Sequence, residues 1–333
     1  MRAALVDAFG ESPEVADVTP PERARGQVLV RVSAAPINKL DLLISSGRFY
    51  GGAPAPPYVP GVEGVGTIVE AKGIEPGTRV WFAFKRLNGT RGSMAELCAI
   101  DEARTLVLEH DIDDATAAGL GLTGLAAWLA LSQRGRLASG EQVLVLGAAG
   151  ATGQIALQAA RILGAGRVIG ASRSEEGRAI ALQLGADAVV DSSGEDAEQI
   201  ATRLERACDG PLALIIDPVW GVLAAASARV LAPGGRLVNF GSTGGPTAPL
   251  ESTIIRSKSL SVLGYSNMSA TFADVCAAIS TLHRHAAEGR IKVLSEEVGL
   301  DEIDSAFERA DASPHRKLIV MPDTSLRTGL GTA

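Results

Sequence analysis

The stretch VLVLGAAGATGQIALQAA at residues 143–160 decides the fold prediction, because it joins an apolar strand to a helix through three glycines. A short apolar run of this kind is typical of a strand that is covered on both faces. Ile155, Ala159 and Ile162 then recur at helical spacing, on one face of the helix that follows. A strand, a glycine turn and a helix in this order predict a dinucleotide-binding loop, since the helix N-terminus offers unpaired N–H groups and a positive dipole end.

Each glycine of this loop has a physical role. Gly147 allows a tight turn at the strand end, Gly150 a close approach of backbone to phosphate, and Gly153 close packing of helix on strand. The spacing is G-x-x-G-x-x-G and not the commoner G-x-G-x-x-G, so an ordinary βα turn is the alternative interpretation. A second glycine run, PGVEGVG at 60–66, leads into a β-branched strand and not into a helix. The nucleotide is therefore expected at 147–153.

A βα alternation extends C-terminally from this stretch. Apolar runs predict six strands, at 143–147, 167–171, 188–190, 212–217, 236–240 and 260–264. Helical segments such as TGQIALQAARILG separate the first five of them. Apolar strands that alternate with amphipathic helices form parallel sheets buried on both faces. The fold prediction is α/β, with a doubly wound six-stranded parallel sheet of the Rossmann kind.

The N-terminal part of the chain has a different sequence pattern, in which short strand-like runs are separated by Gly and Pro. The clearest of these runs lie at 27–34, 65–71 and 79–84. They predict a compact β-barrel or sandwich. An Ala/Leu-rich helix is expected at 114–135, a further helix at 273–289 and a strand at 317–322. The polar tail from Thr324 is expected to fray.

Composition excludes several classes of partner. The 333-residue chain has a formal charge of −7, whereas binding to nucleic acid or to an anionic membrane needs clustered Lys and Arg. No stretch approaches the roughly 20 apolar residues of a membrane helix, and the N-terminal apolar run breaks at Asp7, unlike a signal peptide. Cys98, Cys208 and Cys276 form no C-x-x-C pair, which is typical of reduced thiols. We expect a soluble cytoplasmic protein with no nucleic-acid or membrane partner.

The end of the second βα strand indicates which dinucleotide is bound. An NAD site usually places Asp or Glu there to bond the ribose 2′-OH. This chain has Ser172 followed by Arg173. A carboxylate would repel a 2′-phosphate, whereas a hydroxyl and an Arg fork both bond it. Arg178, one helical turn on, is expected to help. A solvated loop charge is the alternative for Arg173, but the pattern favours NADPH over NADH.

Taken together, these motifs resemble the medium-chain dehydrogenase/reductase superfamily, in its zinc-free branch of quinone oxidoreductases (zeta-crystallin-like proteins) and related enone reductases. The resemblance covers roughly residues 1–322 and rests on AAPINKLDLLISSGRF (34–49), PGVEGVGTIVEA (60–71), GLTGLAAW (121–128), GAAGATG (147–153), LGADAVVD (184–191), LAPGGRLVNFGSTGG (231–245) and HRKLIV (315–320). It implies a GroES-like β-barrel catalytic domain at 1–119 and 266–333 and a Rossmann domain at 120–265. The active site is then expected in the cleft between these domains, and the protein is expected to be a homodimer through the sixth strand.

The resemblance also adds cofactor residues to those of the glycine loop. Thr123 resembles the family's nicotinamide-side threonine, NFGSTGG after the fifth strand lies near the nicotinamide, and Lys317 resembles a lysine near the cofactor. The expected cofactor-binding set is Thr123, Gly147, Ala148, Gly150, Ala151, Thr152, Gly153, Ser172, Arg173, Arg178, Phe240, Gly241, Ser242 and Lys317.

No metal site is expected. In the similar zinc alcohol dehydrogenases, Cys and His ligands occupy the two N-terminal motifs, and here those positions are Asn38 and Val62. The neighbouring Glu63 cannot by itself supply the roughly three protein ligands of a catalytic zinc. We expect Glu63 to be a structural hydrogen-bonding group.

Without a Lewis acid, the expected chemistry is hydride transfer to an activated C=C bond, because conjugation delivers the charge to a carbonyl oxygen. By the resemblance, Asn38 lies beside the nicotinamide and donates its amide N–H. The position of the family's tyrosine is Phe49 here, and Tyr50 comes next. Tyr50 is therefore a candidate proton donor. The alternative is that Tyr50 lines the pocket or lies on the surface and that water supplies the proton. Asp41 matches a catalytic-site residue of the family, with a helix cap as the alternative.

Three functions remain open on the sequence. The first is an NADPH-dependent reductase of quinones or α,β-unsaturated carbonyls, which takes a small-molecule substrate. The second is an enoyl-thioester reductase in a biosynthetic pathway. The third is a non-enzymatic NADPH-binding protein.

Overall fold

A computed structural model describes residues 1–84, 91–312 and 315–322, and their contacts divide the chain into two compact units. Unit 1 consists of Met1–Gly121, Ile279–Ala287 and the described residues from Val293 onward. Unit 2 consists of Leu122–Ala278 and Glu288–Lys292. The domain bounds that the sequence suggests stay a prediction. The tail from Thr324, which we expected to fray, lies outside the described residues.

The N-terminal segment of unit 1 is built from short strands and two short helices. In chain order they are β1 (Arg2–Leu5), β2 (Glu14–Asp17), β3 (Gln27–Pro36), α1 (Lys39–Ser45), β4 (Glu63–Glu70), β5 (Arg79–Ala83), β6 (Leu97–Asp101), β7 (Thr105–Val107) and α2 (Asp114–Gly119). The longest strand, β3, alternates along its first half, and Val28, Val30 and Val32 are buried on one face. This period of two is what a half-buried antiparallel strand requires.

Unit 2 alternates strands with helices. Its elements are α3 (Leu122–Leu129), β8 (Gln142–Leu146), α4 (Ala151–Ile162), β9 (Arg167–Ser172), α5 (Glu175–Gln183), β10 (Ala188–Asp191), α6 (Ala197–Ala207), β11 (Leu212–Asp217), α7 (Gly221–Val230), β12 (Leu231–Asn239), α8 (Ser252–Ser257), β13 (Ser261–Gly264) and the first part of α9 (Phe272–Ala287). The chain ends its described part in unit 1 with β14 (Ser295–Gly299), α10 (Ile303–Asp311) and β15 (Lys317–Met321).

The sheet of unit 2 is parallel throughout, in the order β10-β9-β8-β11-β12-β13. This confirms the predicted doubly wound six-stranded sheet. The order reverses between β8 and β11, which are neighbours in the sheet although two strands separate them in the chain. Ligands of open parallel sheets bind at such a switch point, outside the carboxyl ends of the strands.

The sheet of unit 1 is mixed. Its described strands follow the order β14-β15-β3-β4-β5-β7, with β6 also paired to β3. Strand β15 is antiparallel to β3, through Ile319 opposite Pro36 and Val320 opposite Ala35. This pairing brings Lys317, the first residue of β15, towards the end of β3 although the two are distant in the chain. The core beneath the sheet contains Val30, Phe82 and apolar residues of α10 and β15.

The helix expected at 114–135 is interrupted, and this part of the prediction is wrong. Helix α2 ends at Gly119, and α3 begins at Leu122 and ends in a π-helical turn, Ala130–Arg134. The segment between the two helices runs close to buried side chains: a Cβ at Gly121 would overlap Glu63 Oε2 and lie 2.7 Å from Trp81 Nε1. Only glycine lets the backbone pass so close to this buried carboxylate.

Helices α1, α8 and α10 are additions to the predicted elements, and β12 begins at Leu231, before the predicted 236. None of the helices in the described part of the chain is both long and apolar enough to span a bilayer.

Candidate functional site

The glycine loop of unit 2 leaves an open helix N-terminus at the switch point. Gly147 follows β8 with φ +62°, and α4 begins at Ala151 with Gly150 as its N-cap. No side chain caps this helix, so N–H groups of its first turn have no intrahelical acceptor. The dipole of α4 adds a partial positive charge at the same place. This end of the helix has the donors that an anion requires.

Packing around the loop is tight on the strand side and open on the other. A Cβ at Gly153 would overlap the carbonyl oxygen of Gly147 and lie 2.7 Å from Ala148 Cα. A Cβ at Gly150 would meet only the Gly147 carbonyl oxygen, at 3.5 Å. The helix therefore packs closely on β8, while the backbone at Gly150 keeps space beside it. Ala148 is buried, and Ala151 and Thr152 form the first turn of α4.

The second βα loop places its polar residues next to the first. Ser172 is the last residue of β9 and is buried, and a Cβ at Gly177 would overlap its Oγ and lie 2.7 Å from Ala149 Cβ. Arg173 follows with an exposed side chain, for which the described residues supply no hydrogen bond or ion pair. Ser172 and Arg173 are thus adjacent to the glycine loop, and their binding of a 2′-phosphate stays a prediction.

Arg178 has partners within this loop. Its Nη1 donates to the carbonyl oxygens of Ser172 and Arg173 at 3.3 and 3.1 Å, and lies 3.3 Å from the Asp191 carboxylate. The guanidinium therefore ties the end of β9 to the end of β10. Its geometry is that of a side chain that supports the loop, and its help in binding a 2′-phosphate stays a prediction.

The loop after β12 is tied to the loop after β11 by a buried carboxylate that sequence reasoning missed. Asp217 has no exposed surface, and its Oδ2 accepts from Asn239 Nδ2 at 3.1 Å. Asn239 Nδ2 also donates to the Gly241 carbonyl oxygen at 2.7 Å. Burial raises the pKa of Asp217, and hydrogen bonds from the backbone N–H groups of Trp220 and Val219 oppose this. The signal in the sequence was an acidic residue that directly ends an apolar strand.

The remaining cofactor candidates of unit 2 lie on three elements. The ring of Phe240 meets Tyr265 edge-on, with centroids 6.5 Å apart. Gly241 and Ser242 follow it, with Ser242 exposed, and Thr123 is half-buried in the first turn of α3. Their roles in cofactor binding stay predictions.

Unit 1 contains a buried polar cluster built from three distant segments. Asn38 precedes α1, Glu63 begins β4 and Lys317 begins β15. Asn38 Nδ2 donates to Glu63 Oε1 at 3.0 Å, and Lys317 Nζ donates to Asn38 Oδ1 at 2.6 Å. All three side chains are buried. Because one end of the amide faces a carboxylate and the other an ammonium, its orientation is fixed; we call this set the Asn38 clamp.

The second carboxylate oxygen of Glu63 is also bonded. Trp81 Nε1 donates to Glu63 Oε2 at 3.0 Å, and Ser93 Oγ donates to the backbone carbonyl of Glu63. Glu63 is fully buried. Burial of a carboxylate without hydrogen-bond donors costs free energy, and donors to both oxygens avoid most of this cost.

Asp41 lies next to the clamp and has the geometry of a helix cap. Its Oδ2 accepts from the backbone N–H of Asn38 at 2.8 Å, and its Oδ1 from the backbone N–H of Val62 at 3.0 Å. It therefore joins the start of α1 to the segment before β4. Burial raises the pKa of Asp41 to about 6, although these hydrogen bonds and the charge of Lys317 act in the opposite direction.

Burial also governs the charge of Lys317. It lowers the pKa of the ammonium to about 8, while the charges of Glu63 and Asp41 oppose the shift. The lysine therefore stays largely protonated at neutral pH.

Tyr58 is also buried, and its hydroxyl has no hydrogen-bond partner among the described residues. Burial, together with the charge of Asp41, raises the pKa of Tyr58.

Comparisons with known proteins identify the family. The model described as "Alcohol dehydrogenase GroES-like domain" matches residues 24–110, and the one described as "Zinc-binding dehydrogenase" matches 151–282. The quinone oxidoreductase of Rattus norvegicus is 32% identical over 319 residues, covering 92% of this chain and 93% of the rat protein. Quinone oxidoreductase-like protein 2 of Mus musculus is 31% identical, covering 92% and 87%.

The chain belongs to the medium-chain dehydrogenase/reductase superfamily, in its quinone oxidoreductase-like branch. It is an oxidoreductase with an NAD(P)-binding dehydrogenase fold and a GroES-like domain. A mycobacterial protein solved in complex with NADPH has a TM-score of 0.86 to this chain at 26% identity, covering 97% of this chain and 100% of that one. The fold and family predictions are confirmed.

The zinc-binding description of one family model raises the question of a metal in this reductase-family chain. Asn38 and Val62 stand at the two positions where the similar zinc alcohol dehydrogenases have their Cys and His ligands. The two carboxylate oxygens of Glu63 accept hydrogen bonds, one from Asn38 and the other from Trp81. Among residues 1–84, 91–312 and 315–322, no three His, Cys, Asp or Glu side chains are grouped so as to hold a metal ion. Since a catalytic zinc takes about three such ligands, the described residues do not fit one.

Tyr50 has a different setting from the clamp. Its side chain is 82% exposed and packs against Phe49, with ring centroids 4.7 Å apart. The sequence prediction offered a proton donor, a pocket wall or a surface residue at this position. An exposed fraction this high is typical of a surface residue, and the role of Tyr50 as proton donor stays a prediction.

Proposed function

We propose that the protein is an NADPH-dependent reductase that transfers hydride to an activated C=C bond of a quinone or an α,β-unsaturated carbonyl, without a metal. The Asn38 clamp carries this proposal. At the motif positions where similar zinc enzymes hold ligands, this chain has an amide hydrogen-bonded to a carboxylate and an ammonium. The amide N–H and the ammonium are donors that stabilise an oxyanion by hydrogen bonding, which suits a conjugated acceptor.

The residues that would hold the cofactor belong to unit 2. We propose that the N–H groups of Ala151, Thr152 and Gly153 bind the pyrophosphate, as helix N-termini do. Ser172 and Arg173 would bind the 2′-phosphate, since no carboxylate ends β9 to repel it. Bound NADPH would supply the hydride. The NADPH complex of the mycobacterial relative supports this assignment.

The protein's own contribution to the reaction is positioning and electrostatics. When hydride reaches the β-carbon of an enone, negative charge develops on the carbonyl oxygen. We propose that Asn38 donates to this oxygen through the N–H that now makes a long bond, 3.4 Å, to the Pro36 carbonyl oxygen, and that Glu63 and Lys317 orient the amide for it. The positive charge of Lys317 stabilises the negative oxygen further. Asp41 supports this arrangement through its two backbone hydrogen bonds.

The proton that completes the reduction has two proposed sources, Tyr50 and water. The 82% exposure of Tyr50 favours water, because a positioned general acid has to reach its acceptor within hydrogen-bonding distance.

We also propose a homodimer formed along β13. In the sheet of unit 2, every residue of which is described, this strand pairs only with β12, so its other edge has no strand partner. Val262 on this strand is 39% exposed. Light scattering in solution tests this assignment, and a monomer at all concentrations would contradict it.

The function is tested by following the loss of NADPH absorbance with matched panels of quinones, enones and enoyl thioesters. Turnover of quinones or free enones, faster with NADPH than with NADH, is the expected result. Activity on thioesters alone would identify an enoyl-thioester reductase. Tight NADPH binding without turnover of any acceptor would indicate a non-enzymatic binding protein. Both of these outcomes would contradict the proposal.

A further inference from the structure

Trp220 has a backbone conformation that non-glycine residues rarely adopt. Its φ of 65° and ψ of −157° lie in a region that is essentially restricted to glycine. For a bulky side chain, a positive φ is an outlier that signals strain. Strain of this kind persists only where the surroundings determine the backbone, and it clusters at ligand-binding sites.

The surroundings of Trp220 do determine its backbone. Asp217 Oδ1 accepts from the N–H groups of Val219 and Trp220 at 2.9 and 2.7 Å. The N–H of Gly244 donates to the Val219 carbonyl oxygen at 2.7 Å, and a Cβ at Gly221 would lie 2.6 Å from the Gly244 carbonyl oxygen. The loop after β11 is therefore held by a buried carboxylate on one side and by the loop after β12 on the other.

This strained loop lies at the topological switch point of unit 2. It follows β11, which pairs directly with β8, the strand before the glycine loop. A Cβ at Gly147 would lie 2.9 Å from Val219 Cγ2, so the two loops are in contact. The indole is half-buried, and its packing against the core beneath leaves part of it exposed.

The order of the strands indicates which half of a dinucleotide would meet Trp220. Ser172 and Arg173 follow β9, on one side of β8, and β11 lies on the other side. If the 2′-phosphate end lies over β9 and the pyrophosphate over β8, the nicotinamide half continues over β11. The loop with Trp220 is thus on the nicotinamide side of the crevice.

We propose that Trp220 is a binding residue for the nicotinamide half of the cofactor, and that Asp217 holds its backbone in the strained conformation for this purpose. The proposal rests on the cofactor assignment made under the proposed function. The indole of Trp220 has a flat apolar face, which is suited to contact with a ribosyl-nicotinamide group.

The test compares two ligands and two variants by calorimetric titration. NADPH contains the nicotinamide half, and 2′-phospho-ADP-ribose lacks it. For Trp220→Gly, which accepts the backbone conformation without strain, we expect the Kd of NADPH to rise about fivefold or more, the fold-change of one lost aromatic contact. The Kd of 2′-phospho-ADP-ribose should stay within about twofold. Trp220→Phe keeps a ring and should change both by less than about threefold.

A purely structural role would give a different pattern. If Trp220 only fills the core, Trp220→Gly would raise both Kd values together or neither of them, and either result overturns the proposal. Should Trp220→Gly fail to fold, NADPH quenching of tryptophan emission decides: the proposal requires that Trp220→Phe loses most of the quenching and that Trp128→Phe keeps it. The reverse would overturn the proposal.

The failure of the proposed function gives a separate result. A wild-type chain that binds NADPH but reduces no acceptor would refute the reductase assignment, and the pattern of Kd values would still decide the role of Trp220. A wild-type chain that binds no NADPH would refute both.

Discussion

Replacement of Lys317 by methionine tests whether a buried ammonium organises the Asn38 clamp. Methionine keeps an unbranched apolar chain of similar length. It removes the charge and the 2.6 Å hydrogen bond to Asn38 Oδ1. The amide oxygen loses its donor, and the buried carboxylates of Glu63 and Asp41 lose the cation that favours their ionised forms.

Two opposing effects set the size of the change. Burial lowers the pKa of Lys317 from 10.5 to about 8, so the folded state disfavours the charged lysine by about 3 kcal/mol, a cost that methionine removes. Removal of one partner from a buried ionic group nevertheless destabilises by about 3–5 kcal/mol net, because the remaining charges keep their desolvation penalty. We expect the free energy of unfolding to fall by about 3 kcal/mol at pH 7.

The pH dependence gives a sharper signature than the change at one pH. The unfolded chain keeps the Lys317 proton up to about its ordinary pKa, whereas the folded chain releases it near 8. Between these values the unfolded state binds more protons, so this group makes the wild type more stable as pH rises. The methionine variant has no titrating group at position 317. The stability difference between wild type and variant should therefore widen by about 3 kcal/mol from pH 8 to pH 10.5.

Urea unfolding at a series of pH values measures this difference, with the emission of Trp81 reporting on unit 1. Lys72→Met is the matched control, because Lys72 is also in unit 1 but has an exposed side chain; its removal should cost less than about 1 kcal/mol at every pH. Lys317→Gln, which keeps an amide donor, serves if the methionine variant does not fold. A difference that is flat with pH, or that narrows as pH rises, would refute the reasoning.

Three further predictions concern single residues. Arg173→Ala should raise the KM for NADPH about tenfold or more, as expected for one lost charge-assisted hydrogen bond, and the KM for NADH by less than twofold; equal changes in steady-state assays would contradict the 2′-phosphate assignment. Gly153→Ala should lower the free energy of unfolding by about 1–3 kcal/mol and abolish NADPH binding in calorimetry, because its Cβ would overlap the Gly147 carbonyl; wild-type binding would show that the loop does not hold the cofactor. Tyr50→Phe should leave kcat within about twofold, because the side chain is 82% exposed and water then supplies the proton; a loss of about a hundredfold would identify Tyr50 as the proton donor instead.

The local parts of the fold were accessible from the sequence. The strand, glycine turn and helix at 143–160 are consecutive, and their periodicity depends only on near neighbours. For that reason the parallel sheet, its six strands and the turn at Gly147 could be predicted. The close approach of Gly121, which lies between α2 and α3, to Glu63 could not be predicted, because Glu63 is distant in the chain.

The amino-acid sequence by itself determined the βα series, the glycine loop and the absence of an acid at the end of β9, since each of these is written in contiguous residues. Only the tertiary structure decided that Lys317 holds the amide of Asn38, which lies 279 residues away, and that Asp217 holds Trp220 in a glycine-like conformation. The physical reason is the range of the interactions. Helical and strand periodicity arise within a few residues, whereas a buried hydrogen bond or a strained dihedral depends on which distant segments the sheet pairing brings together.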